Sequence, residues 1–429
     1  MAYRLGPKGR DWIGRNWCTF AILANLGFWG ANAAHEWYAR GLFADLGVDW
    51  ARFWGATRAF RVDGPAAGYS MPDIARFMAP LTRYYRPGTG AVRVGPAPYP
   101  PPFLKLFEPF TLPSPPIGFL AWTILNAVIA IVVIRRLAGR FTSSSPRKLT
   151  MLLFSIFPLM MSLFVGQVEI LLLLFVMQAC LDLERKRDFR AGAWFGLLLL
   201  KPQYAICLFI VLAIKGRIAA VAGFMTGGLV ILAGSIAVAG LKGTIAYVRL
   251  LFNAYPAFAG GVAIDPQGMI GWRGMMVMLW PQMSGGAGIL IVGFLSLLSI
   301  ALLPHFWRGP WEPGTTRFWN QLTATFAITL MVAYHSQPHG AVLLVVPGCL
   351  LLSRTDAPIA ARYLLVASAV AAPLVAIFSA LTIGDLSMVS FAMSVVLIGL
   401  VCILLRDSLT PESVHSRNRA EIDLVPGPL

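Results

Sequence analysis

Lys201 interrupts an apolar run that reaches from Ala191 to Ile214, and Pro202 and Gln203 follow it at once. A lysine at the centre of a membrane helix costs about 2.5–3.5 kcal/mol on insertion scales. The proline removes a backbone donor at the same point. An ionisable group in such a place is a functional residue by default, and an ammonium is a natural phosphate partner. The bland alternative is a lysine that snorkels from a bent helix. Asp49 stands just after Gly47, at the start of a helical pattern. It is either a first-turn acid that complements the helix dipole or a general base. Lys105 and Arg273 are further cations for a phosphate. Gln167 and Gln203 can satisfy hydroxyl groups, or each other. His335 and His339 can hydrogen-bond a phosphate, although a lone histidine in a turn is more often structural. Tyr99 heads the stiff run Tyr99-Pro100-Pro101-Pro102-Phe103, which leads to Lys105. The set offers one proton acceptor, several cations for an anionic leaving group, and amides for hydroxyls. D-x-D, G-x-S-x-G, P-loop and H-E-x-x-H patterns are absent, and neither a cofactor nor an obligatory metal is expected.

These residues sit in an apolar chain. It has 429 residues, 57% hydrophobic and 13% charged, with mean hydropathy +0.70. Soluble proteins carry about 25% charged residues, so the expectation is an all-α polytopic integral membrane protein. The net charge of +16 lies mostly in short loops beside apolar runs, where it sets topology and faces anionic lipid. A nucleic-acid partner is not expected. Cys18, Cys180, Cys207, Cys349 and Cys402 lack metal-ligand spacing and read as small core residues.

Spans are expected at about 17–34, 115–134, 149–165, 168–183, 218–240, 287–304, 318–334, 340–353, 362–382 and 387–405. Basic residues from Arg4 to Arg15 place the N-terminus inside. Ala31-Asn32-Ala33 resembles a signal-peptidase site, but an uncleaved first helix suits the later topology better. The loops Arg135–Lys148 and Glu184–Arg190 then fall inside. If residues 191–214 crossed once, Lys215 and Arg217 would land outside and every later basic loop would flip. If the segment enters and returns, all of them stay inside, as the positive-inside rule prefers. The expectation is a broken re-entrant hairpin with Lys201-Pro202-Gln203 at its apex, the kind of interruption that points to a ligand site.

One domain over 1–405 is expected, with a flexible cytoplasmic tail at 406–429. The external face then collects the polar sequence: a first loop at about 35–114, the turn Gly166–Glu169, a second loop at about 241–286 and the turn His335–Gly340. In the first loop, Asp49–Val62 reads as an amphipathic helix lying in the membrane interface.

The order of short motifs resembles glycosyltransferase family 87, of the GT-C superfamily, over roughly residues 40–350. The motifs are Gly47-Val48-Asp49 with Phe53, then Tyr69, Tyr99-Pro100-Pro101, Gly166-Gln167-Val168-Glu169 and Lys201-Pro202-Gln203. Glu169 stands where asparagine is commoner, and His335-Ser336-Gln337 also departs from the usual pattern. The resemblance implies a GT-C-like fold in the cytoplasmic (inner) membrane with its active site on the external side. It implies transfer of a hexose, often mannose, from a polyprenyl-phosphate sugar to a lipid or glycan acceptor. Asp49 occupies the position of the catalytic acid in the first external loop. The phosphate and sugar would fall to Lys201, Gln203, Arg273, Lys105, Gln167, His335 and Tyr99. The competing reading is a transporter or flippase of an anionic substrate, since broken helices with a buried lysine also serve transport. Against it, the ionisable groups gather at external helix ends and no internal repeat is visible.

Overall fold

The structure, a computed structural model, describes residues 7–87, 94–141, 145–253, 266–283, 286–382 and 387–409. Within these residues the regular elements are helices, and β pairing is limited to an isolated bridge between Gly41 and Tyr85. The chain opens with α1 (Pro7–Ala39). The first connection then folds on itself as α2 (Val48–Val62), α3 (Met71–Met78) and α4 (Pro101–Phe107), and leads into α5 (Pro115–Ala138). Next come α6 (Pro146–Ser155) and α7 (Phe157–Val165), bent by 55° where Ile156 turns extended beside Pro158. The proline cannot donate to the preceding turn, so one helix cannot run through it. After α8 (Glu169–Glu184) come α9 (Asp188–Gly196), α10 (Ile206–Ile214) and α11 (Ile218–Asn253). The second half holds α12 (Trp272–Leu279), α13 (Gly286–Ala301), α14 (Leu303–Phe306), α15 (Thr316–Val332), α16 (Val345–Leu352), α17 (Ile359–Thr382) and α18 (Ser387–Leu409).

Among the described residues, five helical stretches are long and apolar enough to cross a membrane: α5, α11, α13 with α14, α17 and α18; α6 and α7 together make a sixth if the bent pair is one span. The chain is a multi-pass membrane protein. The expected spans 168–183 and 318–334 are α8 and α15, of 16 and 17 residues. At 1.5 Å per residue they reach only about 24–26 Å. The expected span 340–353 is a 3₁₀ segment, Pro338–Leu344, followed by the short α16. These pieces are central rather than lipid-facing. Every residue of α15 from Phe318 to Met331 is buried. Some of its polar groups are met inside the protein: Gln321 donates to the Phe306 carbonyl at 2.7 Å and Trp307 to Thr325 at 2.9 Å.

The 191–214 segment breaks at Lys201 (φ −130°, ψ 85°), between 3₁₀ turns at Leu197–Leu200 and Pro202–Tyr204. Its ends return to one place, because Arg217 pairs with Asp188. A segment that ends beside its own start has turned back on itself. Lys215 then donates to the Trp307 carbonyl at 3.2 Å, joining the connection before α15. Two G-x-x-x-G pairs hold the arrangement. Gly192 and Gly196 of α9 face Gly223 and Gly227 of α11, and a Cβ on Gly192 would lie 1.9 Å from the Ala220 carbonyl oxygen. Small residues let the two backbones touch.

Three expectations need correction. The second loop, 241–286, is partly helical: α11 bends at Gly240 and continues to Asn253, and α12 lies within the rest. Residues 254–265, including Asp265, lie outside the described residues, as does Asp385. The first-loop helix does not lie free in the interface. Trp50, Phe53, Trp54, Ala56 and Phe60 of α2 are buried under α3, α4 and the start of α5. Phe53 meets the rings of Tyr99, Phe103 and Phe107 edge-on, at 5.0, 5.4 and 5.7 Å. The apolar face is matched by protein, so lipid is not needed to cover it. Lastly, Cys402 is exposed on α18 and Cys18 half-buried, whereas Cys180, Cys207 and Cys349 are core residues. α18 extends to Leu409. Residues 410–429, most of the expected tail, and the side chains of the basic N-terminal residues lie outside what is described.

Candidate active site

The turn between α7 and α8 is the foundation of the site. Gly166 closes α7 in the left-handed region (φ 80°), and a Cβ there would lie 2.6 Å from the Cβ of Trp50. A glycine is therefore required both by dihedral and by space. Trp122 donates to the Gly166 carbonyl at 2.9 Å, and the Gly47 amide donates to the Phe164 carbonyl at 2.9 Å. These contacts press the start of α2 onto the turn, and Asp49 onto Gln167.

Asp49 is 5% exposed. Its Oδ2 accepts from Gln167 Nε2 at 2.8 Å and its Oδ1 from Arg52 Nη1 at 2.8 Å. Each oxygen keeps a further lone-pair site, so the carboxylate is oriented and still able to accept. The carbonyl oxygen of Gln167 accepts from Tyr99 Oη at 2.9 Å and from Lys201 Nζ at 3.3 Å. Those donors fix which way the amide points, with its NH₂ toward Asp49.

Lys201 is also buried. Its Nζ is paired with Glu169 Oε1 and lies 5.4 Å and 5.9 Å from the ring centres of Tyr99 and Tyr204. Glu169 is fully buried, and His339 Nδ1 lies 3.0 Å from the same oxygen. Its Oε2 is buried and makes no hydrogen bond among the described residues. A buried carboxylate oxygen without a donor is an unusual state for a native protein.

The turn after α15 closes the other side. Gln203 donates to the His335 carbonyl at 3.1 Å, and the hydroxyls of Tyr204 and Ser336 are 3.3 Å apart. Arg273, buried at the start of α12, donates to the Tyr334 carbonyl at 3.2 Å, with its guanidinium 4.1 Å from the Tyr334 ring centre. Burial, and then the charges of Lys201, His339, Arg273 and Arg52, push the His335 imidazole down to about 3. Lys201, Arg273 and Arg52, from three separate parts of the chain, thus act on one small region.

Of the residues singled out from sequence, Asp49, Tyr99, Gln167 and Lys201 form one chain of contacts, with Gln203, His335 and Arg273 beside it. Lys105 is apart: it is exposed on α4 and pairs with Glu108 at 2.6 Å. Arg52 and Tyr204 were not singled out. The i, i+3 spacing of Asp49 and Arg52 on a helix is the signal for the first. Glu169 read as one more external acid, not as the partner of Lys201. Two opposite charges in apolar segments of one domain are the signal that they pair, since neither is tolerated alone.

Fold and site together define a multi-pass helical membrane protein with a buried acid–cation cluster at helix ends. The family model of glycosyltransferase family 87 matches residues 98–334, more than half of the chain, and the protein belongs to that family. It is a membrane glycosyltransferase. No curated protein and no solved structure matches it. The match is narrower than the 40–350 resemblance. It contains Tyr99, Gln167, Lys201, Gln203 and Arg273, and leaves Asp49 and His335 on its flanks.

Proposed function

We propose that the enzyme transfers a hexose, with mannose expected, from a polyprenyl-phosphate sugar to a hydroxyl of a lipid or glycan acceptor. The reaction is placed at the external face of the cytoplasmic membrane, and Asp49 is the base. The observation that carries this reading is the hydrogen-bonded line from Asp49 through Gln167 to Lys201. It sets a proton acceptor and a cation on two sides of one amide, inside a protein shell. Such a donor carries its own leaving group. The acceptor hydroxyl attacks the anomeric carbon as the bond from that carbon to the phosphate oxygen breaks. Asp49 takes the hydroxyl proton. The polyprenyl phosphate leaves with its negative charge facing Lys201 and Arg273. Gln203, neutral His335 and the unbonded Oε2 of Glu169 supply donors and an acceptor for sugar hydroxyls. No metal or cofactor enters this scheme, so transfer should survive chelation.

The test is sugar transfer by purified protein from synthetic short-chain polyprenyl-phosphate hexoses. Lipid-linked sugar co-purifying with the protein is identified by mass spectrometry in parallel. Turnover of a polyprenyl-phosphate donor supports the reading. Turnover only of a nucleotide-sugar donor would reject it.

A further inference from the structure

A second polar feature lies at the far ends of α5 and α8. A cavity of about 460 Å³ opens there, lined by Arg136, Arg140, Met177, Gln178, Leu181 and Arg185. It is separate from the cluster around Asp49. Glu169 begins α8, and the cavity residues Met177 to Arg185 toward its other end lie roughly 12–24 Å along the helix from it at 1.5 Å per residue.

The charges around this cavity are unbalanced. Arg140 is committed, donating twice to Glu184 at 2.9 and 2.6 Å. The guanidinium groups of Arg136 and Arg185 are exposed and make no hydrogen bond or ion pair among the described residues. The remaining wall is Met177, Leu181 and Gln178, apolar apart from the one amide. Two free guanidinium groups beside that wall, at the end of an exposed hydrocarbon face, fit a ligand with an anionic head and a hydrocarbon body.

The surface of α5 leads to the same place. Ile117, Leu120, Ile124, Val128 and Ile131 are exposed large apolar residues. Their spacing of three or four marks one face of the helix. Continued by four residues, that face reaches Arg135, with Arg136 next to it at the cavity mouth. A stripe of hydrocarbon on a membrane-crossing helix thus ends at a basic pocket. A free inorganic phosphate would use the arginines and leave the stripe and the apolar wall unexplained.

We propose that this cavity is a binding site for an anionic glycerophospholipid. Its phosphodiester sits between Arg136 and Arg185, and its acyl chains run along the exposed face of α5. Basic pockets between membrane helices hold such headgroups by charge, with hydrocarbon contact supplying the rest. The site is distinct from the donor site and does not take part in transfer.

The experiment uses the full-length protein, delipidated in mild detergent and titrated with phosphatidylglycerol or phosphatidylcholine, with bound lipid counted by native mass spectrometry. Wild type should retain phosphatidylglycerol in preference to phosphatidylcholine. Arg136→Gln with Arg185→Gln should weaken that retention by about tenfold or more, the effect of two basic side chains near an anionic headgroup. Both side chains are exposed, so the lipid-free thermal midpoint of the double variant should match wild type. Its loss of retention is then not a folding defect. Equal retention of the two lipids, or unchanged retention by the double variant, would overturn the proposal. So would inorganic phosphate displacing phosphatidylglycerol completely at equal concentration, which would make this a free-anion site.

Discussion

Asp49 and Gln167 are 118 residues apart in the chain and share a buried hydrogen bond of 2.8 Å, with the Gln167 amide as donor. The same side chain accepts from Lys201 on its carbonyl oxygen. A single amide therefore aligns a carboxylate from α2 with an ammonium from the break before α10. Neither charged residue touches the other, and the glutamine sets their relative position.

That arrangement makes Gln167 a positioning residue. Gln167→Ala should lower kcat by roughly 10- to 100-fold, the scale on which small misplacements act, with little change in donor KM. Added to Asp49→Asn it should lower turnover no further, because residues acting as one unit are not additive. Steady-state kinetics of the two single variants and the double variant decide this. Additive losses would make Gln167 an independent contributor.

General bases contribute typically 10²–10⁴-fold, so Asp49→Asn should lose at least about two orders of magnitude in turnover. Donor binding should survive, since asparagine keeps the shape. Asp45→Asn is the control, four residues earlier and paired with Arg40 near the end of α1. Collapse of transfer in Asp45→Asn or Glu169→Gln, with Asp49→Asn near normal, would move the base to that residue.

Lys201 holds structure as well as charge. Removing it leaves Glu169, fully buried, with His339 as its one remaining cationic neighbour among the described residues. Breaking a buried pair typically costs about 3–5 kcal/mol, whereas replacing both partners can be nearly neutral. Lys201→Met should therefore lower the thermal midpoint clearly, and Lys201→Met with Glu169→Gln should recover most of it. Donor binding should be weak in both. If the double variant bound donor like wild type, Lys201 would be structural only.

How far the sequence reveals this site depends on the range of the signal. Lys201 stands out because one charge in an apolar run is a local anomaly. Asp49 stands out because Gly47 marks a helix start. The contact of Asp49 with Gln167 has no local signature. It depends on Gly166 fitting under Trp50 and on Gly47 meeting Phe164, both long-range packing events. Span boundaries are blurred for a related reason. By hydropathy alone residues 322–332 of α15 resemble a lipid-facing helix, because burial in protein and burial in lipid both favour apolar side chains. The G-x-x-x-G pairs of α9 and α11 are visible in the sequence. Only the structure makes them partners.

His335 gives a pH signature. Its imidazole titrates at about 3 when folded and near 6.5 when unprotected. Between those values the unfolded chain binds a proton that the folded protein refuses, so stability rises with pH through that window. This contribution is intact above about pH 6.5 and is lost progressively as pH falls toward 3. The thermal midpoint of wild type should thus drop more steeply between neutral and mildly acidic pH than that of His335→Gln. Parallel slopes would mean that folding does not depress the His335 imidazole.

The hairpin and its orientation are separable claims. Arg217 beside Asp188 requires both ends of the 191–214 segment to lie on one side of the membrane. The positive-inside rule predicts that this side is the cytoplasm. On a background with all five cysteines replaced, Lys186→Cys and Lys215→Cys should both react with an impermeant maleimide only from the cytoplasmic side. Gln203→Cys, near the apex and beside the His335 turn, should be unreactive from that side. If positions 186 and 215 label from opposite faces, the segment crosses and the returning geometry is wrong. If both label from outside, the hairpin stands but the protein is inverted, and the Asp49 cluster would then face the cytoplasm, where the transfer reaction proposed for it is not expected.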